Sequence, residues 1–170
     1  ADEGIQRIKD TFAKFKLPWL AEYDERTIAV IGDLSLNKFG MSDRDYDFVS
    51  DKVEVIYHSG SSVSYVQPYS LIKKTNIDGL PNIIELAIHE KTKYLVLLSS
   101  MGVFSWGRPF THKTWMYEDD SIYQNMPAVT RDLGYIKSKW VMESIAEKAK
   151  AKGLPIINFR LGFAVCHSTS

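Results

Sequence analysis

Tyr94-Leu-Val-Leu-Leu-Ser-Ser100 is the stretch on which the reading of this chain turns. Its apolar run has no polar alternation and stops at two serines. A run so short and uniform reads as a strand buried on both faces, the kind that parallel sheets contain. Thr27-Ile-Ala-Val-Ile31 reads the same way, and Val53-Glu-Val-Ile-Tyr57 and Ile156-Ile-Asn-Phe-Arg160 read as further strands. Helical patterns separate these runs. Ile5, Ile8, Phe12 and Phe15 share one face of a helix over 5–16, which Pro18 ends. Ser42, with Asp45 three residues on, reads as the N-cap of a helix to Val49. Another helical stretch spans Leu71 to Glu90, with a kink or restart predicted at Gly79 and Pro81. The last is an amphipathic helix from Gly134 to Lys152, closed by Gly153 and Pro155. Strands and helices alternating at this spacing predict an α/β fold around a doubly wound parallel sheet.

In such sheets ligands gather past the carboxyl ends of the strands. Asp33, Ser59–Ser62, Ser99–Ser100 and Leu161–Gly162 each lie just past a predicted strand end. Four polar or glycine clusters on one rim point to a binding site there. A long polar and aromatic segment from Met101 to Asp132 carries Trp106, Phe110, Trp115 and Tyr117. Segments of that length are functional or hold minor elements. Its aromatics read either as the mouth of a substrate site or as a satellite cluster under a loop.

Composition excludes several classes. The 170 residues carry 21 basic and 21 acidic side chains, so nothing in the charge argues for nucleic acid or an anionic membrane. The apolar runs are far shorter than the ~20 residues of a spanning helix, and charges near Ala1 break any signal-peptide pattern. The one cysteine, Cys166, reads as a small buried residue in a reducing, cytoplasmic setting. His58, His89, His112 and His167 have no metal-ligand spacing, so no metal site is expected, and His58 reads as structural. The start at Ala1 and the finish at Ser168-Thr-Ser170 suggest a piece of a larger protein.

The chemistry-bearing pair is Tyr135 and Lys139, four apart and therefore on one helix face. An ammonium beside a phenol stabilises phenolate, lowering the phenol pKa from its ordinary value of about 10. A second match, Tyr69 and Lys73, has no strand-end serine upstream at comparable spacing and reads as structural. Ser100 ends a strand some 35 residues before Tyr135. Its hydroxyl is either a second donor to a substrate carbonyl oxygen or a cap for the turn that follows.

These residues resemble the extended short-chain dehydrogenase/reductases, and within them the terminal thioester reductase domains of nonribosomal peptide and polyketide synthetases. The resemblance rests on Gly32-Asp-Leu-Ser35, Phe39-Gly-Met-Ser-Asp43, Ile56-Tyr-His-Ser-Gly-Ser-Ser-Val63 and Val66-Gln-Pro-Tyr-Ser70. Asn76-Ile-Asp-Gly79, Ser99-Ser100, Gly134-Tyr135 through Lys139-Trp140 and Arg160-Leu-Gly162 continue it. The resemblance implies Ser100, Tyr135 and Lys139 as the catalytic triad, with Tyr135 and Lys139 also at the cofactor. Asp33 and Leu34 would flank the adenine, and Ser59, Gly60 and Ser61 the ribose and phosphates. Asn76 would be a further cofactor residue, and Gly162, Phe163 and Val165 would meet the nicotinamide. The implied reaction is NADPH-dependent release of an acyl group from a carrier-protein phosphopantetheine thioester, as aldehyde or alcohol. Other extended reductases or epimerases of diffusible substrates, and a non-catalytic relative, remain open alternatives.

Three departures from the family accompany this. Leu161 stands where the family usually has proline, and Pro81 lies within a predicted helix. No Gly-x-x-Gly-x-x-Gly occurs in the 170 residues. Residues 1–170 are therefore expected to be part of a reductase domain, without its first βαβ unit or its C-terminal substrate part. The Thr27–Ile31 strand should then have no neighbour, and the isolated segment should bind NADPH weakly.

Overall fold

The computed structural model describes residues 2–162. Helices α1 (Asp2–Lys14), α2 (Glu22–Arg26) and α3 (Asp43–Lys52) precede strand β1 (Val55–His58). Helices α4 (Tyr69–Asn76) and α5 (Leu80–Ile88) lead to strand β2 (Tyr94–Ser100). The short α6 (Arg108–Thr111) and α7 (Met126–Val129) precede α8 (Gly134–Ala151) and strand β3 (Ile156–Leu161).

The three strands form one parallel sheet in the order β1-β2-β3. Val55 lies opposite Tyr94, Leu95 opposite Ile156, and Ser100 opposite Leu161. The central β2 outruns its predicted end at Leu98, because Ser99 and Ser100 pair with Arg160 and Leu161. Leu95, Leu97 and Ile156 enter a core with Met142 and Ala146 of α8 and Leu80, Ile83 and Leu86 of α5. Residues on the alternate register, Val55, Tyr57, Tyr94, Ile157, Phe159 and Leu161, stay exposed.

Thr27–Ile31 is not a strand. A strand exists through its ladder, and no strand among the described residues lies beside this run. Ile28 and Ile31 are left 70% and 78% exposed. Pro81 proves harmless. The helical stretch restarts there, and Pro81 sits in the first turn of α5, where its missing N–H has no partner to lose. Ser42 caps α3 as its spacing implied, its Oγ accepting from Asp45 N at 3.1 Å. The 101–132 segment is built from minor elements, with 3₁₀ turns at Met101–Phe104 and Ile122–Asn125 beside α6 and α7.

Helix α8 ends with Gly153 at φ 99°, a left-handed conformation that glycine adopts without strain. Its start is fixed by contact. A Cβ on Gly134 would stand 2.6 Å from both Gln67 O and Tyr69 N, so the chain before α4 presses directly on the first turn of α8. Trp140 Nε1 donates to Ile122 O at 3.0 Å, and Tyr123 Oη pairs with Ser144 Oγ at 2.7 Å. The long segment before α8 is thus stitched to its flank.

Candidate active site

Strand alternation separates the two serines that end β2. Ser99 faces the buried side, where its hydroxyl has no partner among the described residues. Half-buried Ser100 is at the rim, its Oγ accepting from Gly102 N at 3.1 Å and capping the 3₁₀ turn. That accepted bond leaves the Ser100 proton free to be donated. A Cβ on Gly102 would collide with Ile136, so the turn after Ser100 packs against the residue after Tyr135. Of the two readings of Ser100, the cap is the one seen, and it fixes the hydroxyl without consuming its donor.

Helix α8 carries Tyr135 and Lys139 on one face, with the Lys139 Nζ 5.7 Å from the Tyr135 ring centroid. Lys139 is only 3% exposed. Its Nζ donates to Ser61 Oγ and to Leu98 O, both at 2.7 Å, bridging the β1 loop to β2. Burial pushes the ammonium down to about 8, with Glu143 one turn on holding it up in part. The phenol departs from the sequence expectation. Burial, aided by the neighbouring Tyr65, pushes Tyr135 up rather than down. Two of the Lys139 N–H groups go to Ser61 and Leu98 and its Nζ is 5.7 Å from the ring centroid, so desolvation governs the phenol. The Tyr65 ring meets Tyr135 edge-on at 5.8 Å.

The loop Ser59–Ser62 after β1 is held from behind. Asn76, placed at the cofactor by resemblance, is buried, and its amide is committed inside the protein. Its Oδ1 accepts from Ser62 N at 2.7 Å, and its Nδ2 donates to Ser62 O at 3.1 Å and Ser138 Oγ at 3.0 Å. Ser138 Oγ donates in turn to Tyr135 O at 2.7 Å. Asn76 therefore clamps the loop and α8 together. Asp33 is exposed, its Oδ1 accepting from Ser35 N at 2.8 Å and Ser35 Oγ at 2.7 Å. Those bonds hold its carboxyl below the usual range. Asn82 donates to Leu34 O and Leu36 O at 3.0 and 2.9 Å, and a Cβ on Gly60 would stand 2.8 Å from Leu34 Cδ1. Leu34 and Gly60 are thus neighbours on the rim.

Glu143 continues the Tyr135–Lys139 face and is fully buried. It pairs with Arg160 of β3, Nη2 to Oε2 at 2.9 Å, while Arg160 Nη1 donates to Glu118 O at 2.9 Å. The Arg160 guanidinium also lies 4.8 Å from the Phe104 ring centroid. One residue so joins α8, β3 and the long segment. Replacing Glu143 by Ala is expected to cost about 3 kcal/mol, the low end for breaking a buried pair, because Arg160 keeps some access to water. Denaturant unfolding checks this, and a Glu143→Leu/Arg160→Leu double variant should recover part of the loss.

The remaining sequence candidates divide. Lys73 pairs with Asp78 and Tyr69 is half-buried, in keeping with a structural pair. His58 is buried at the end of β1, and burial with the Lys139 charge keeps its imidazole below the ordinary value. Trp106 and Phe110 line a cleft of about 670 Å³ with Ala128, Arg131 and Leu133. Trp115 and Tyr117 do not line it and are 74% and 66% exposed. Gly162 is at the rim, within 3.5 Å of Met101 Sδ for an added Cβ, whereas Phe163 and Val165 lie outside the described residues. Sequence reasoning missed Tyr65, Asn82, Ser138 and Glu143. Only Glu143 had a signal, its four-residue step from Lys139.

The donor set fits a dinucleotide in part. An ionised Asp33 beside Leu34, the open backbone at Ser59 and Gly60, and Lys139 with one N–H left beyond its two bonds suit ribose hydroxyls and an adenine edge.

The whole chain, residues 1–170, matches the family model described as Male sterility protein, an NAD-binding family. It is 36% identical over 163 residues to the nonribosomal peptide synthetase asaC of Aspergillus flavus, covering 96% of this chain and 16% of that protein. A linear gramicidin synthase of Brevibacillus parabrevis is 34% identical over 161 residues, which are 95% of this chain and 3% of that protein. The chain therefore spans a small part of the length of these curated relatives. The terminal R domain from the myxalamid PKS-NRPS biosynthetic pathway superposes with a TM-score of 0.86 at 30% identity, over 99% of this chain and 41% of that one. With its full length matched to that family and its fold to a terminal reductase domain, the chain belongs to the NAD-binding male sterility protein family, among the extended short-chain dehydrogenase/reductases of the thioester reductase kind.

Proposed function

We propose that the full-length protein reductively releases an acyl or peptidyl group from a carrier-protein phosphopantetheine thioester, using NADPH. The observation that carries this reading is the buried Lys139, bonded to Ser61 and Leu98 O under Tyr135 at the rim where Ser100 ends β2. Likeness to a terminal R domain and to peptide synthetases supports the carrier thioester over a diffusible substrate.

Ser100 and Tyr135 donate to the thioester carbonyl oxygen, so negative charge developing there meets two oriented O–H groups. Tyr135 passes its proton to that oxygen, and the raised phenol suits it to stay protonated until then. Lys139 stabilises the phenolate left behind. When bound, the nicotinamide supplies the hydride to the carbonyl carbon. The resulting hemithioacetal loses its hydroxyl proton as the C–S bond breaks, giving an aldehyde and the carrier thiol. A second hydride and proton would give the alcohol.

The test gives the full-length protein a carrier-tethered acyl thioester with NADPH or NADH, following nicotinamide oxidation and trapping aldehyde. Oxidation coupled to thiol release, faster with NADPH, is expected. Turnover of a nucleotide sugar with no reduction of the thioester would overturn the reading.

A further inference from the structure

The segment between β1 and α4 is fixed at both ends. At its start Asn76 holds both backbone groups of Ser62, its Oδ1 accepting from Ser62 N at 2.7 Å and its Nδ2 donating to Ser62 O at 3.1 Å. At its finish the backbone presses on Gly134, where an added Cβ would stand 2.6 Å from Gln67 O and from Tyr69 N. Between these anchors Ser64 Oγ accepts from Gln67 N at 3.2 Å and closes a turn. Tyr65 sits in that turn.

The turn brings one ring to the catalytic phenol. Tyr65 meets Tyr135 edge to face, with ring centroids 5.8 Å apart and planes at 79°. Lys139 approaches the same ring from the next turn of α8. Tyr65 is itself 58% exposed, and Val66 beside it is 93% exposed. A ring left that open adds little to the core, so the contact with Tyr135 is the main thing its position provides. Tyr135 needs such a contact. Side chains of a helix lie back over the turn before them, and Tyr135, second residue of α8, has no earlier turn to lie on.

Resting on the reductase reading above, we infer that Tyr65 is a positioning residue: its ring braces Tyr135 from the loop side, fixing the direction of the phenol O–H and keeping water off it. Proton delivery requires that O–H to stay within hydrogen-bond reach of the developing oxyanion, so a ring free to swing costs rate more than binding. The upward shift of the phenol agrees with this brace, its causes being burial first and the Tyr65 charge second.

The experiment uses the full-length protein with a carrier-tethered acyl thioester and NADPH, reading kcat, KM and thermal unfolding. A further readout is the alkaline titration of Tyr135 by ultraviolet phenolate absorbance, taken as the difference between each variant and the same variant carrying Tyr135→Phe. Tyr65→Ala should lower kcat about tenfold or more, with KM and unfolding little changed. Tyr65→Phe keeps the ring and should restore most of kcat. Tyr135 should titrate lowest in Tyr65→Ala, with Tyr65→Phe between it and the wild type. Val66→Ala, in the same turn and away from the phenol, should match the wild type. Wild-type kcat in Tyr65→Ala, or a Tyr65→Phe enzyme as slow as Tyr65→Ala, overturns the inference. Should the wild type reduce no thioester, the reductase reading falls and the titration alone decides the brace: the stated order supports it, and a Tyr135 titration unmoved in Tyr65→Ala overturns it.

Discussion

Tyr135→Phe in the full-length protein is expected to lower kcat for thioester reduction by about 10²- to 10⁴-fold, the range of a lost general acid. The fold should hardly notice. The phenol oxygen makes no hydrogen bond to protein among the described residues, so removing it strands no partner. The edge contact with Tyr65 is made by the ring, which phenylalanine keeps. Steady-state kinetics beside thermal unfolding separates the two effects. Turnover close to wild type would remove Tyr135 from the chemistry and with it the reductase mechanism.

Lys139→Met should also abolish most activity, and Lys139 gives the protein a pH signature. The ammonium titrates near about 8 in the folded protein against about 10.5 for an ordinary lysine. If the charged form supports catalysis, kcat/KM should fall as pH rises through about 8. Lys139→Arg should carry that limb upward, because guanidinium does not titrate there. Stability runs the other way. Between the two values the unfolded chain binds more protons than the folded one, so this group makes unfolding harder as pH rises from about 8 to 10.5. Its contribution is greatest above the unfolded value and is lost as pH falls through about 8. The full span corresponds to about 3 kcal/mol. Comparing wild type with Lys139→Met in denaturant at neutral and alkaline pH isolates it from the other lysines. His58, Tyr135 and Glu143 surround the ammonium, and Glu143 alone opposes its loss of charge. Removing Glu143 should therefore move the activity limb to lower pH.

Local signals located the elements well. Short β-rich apolar runs marked β1, β2 and β3, although the expected burial on both faces is not met, since Val55, Tyr57, Tyr94, Ile157, Phe159 and Leu161 leave one face of the sheet exposed. Gly153, Pro155 and Ser42 marked helix ends through backbone requirements that a residue carries with it. Thr27–Ile31 shows the limit of such signals: it has the composition of a strand, but a strand is completed only by a neighbour. Helix α8 shows another. Its buried face includes Ser138, Lys139, Glu143 and Ser144, so polarity does not mark which side is inside.

The sequence by itself determined the alternation of elements, the parallel sheet, the strand-end rim and the shared face of Tyr135 and Lys139, because these depend on repeats of two and 3.6 residues. Tertiary structure alone decided what each of those groups meets. Lys139 reaches Ser61 across 78 residues, and Asn76 reaches Ser138 across 62. Burial of the lysine, the upward shift of the phenol and the clamp behind the loop all follow from such distant contacts. Periodicity tells which face of an element a side chain occupies, and only packing tells how much water and which partner that face is given.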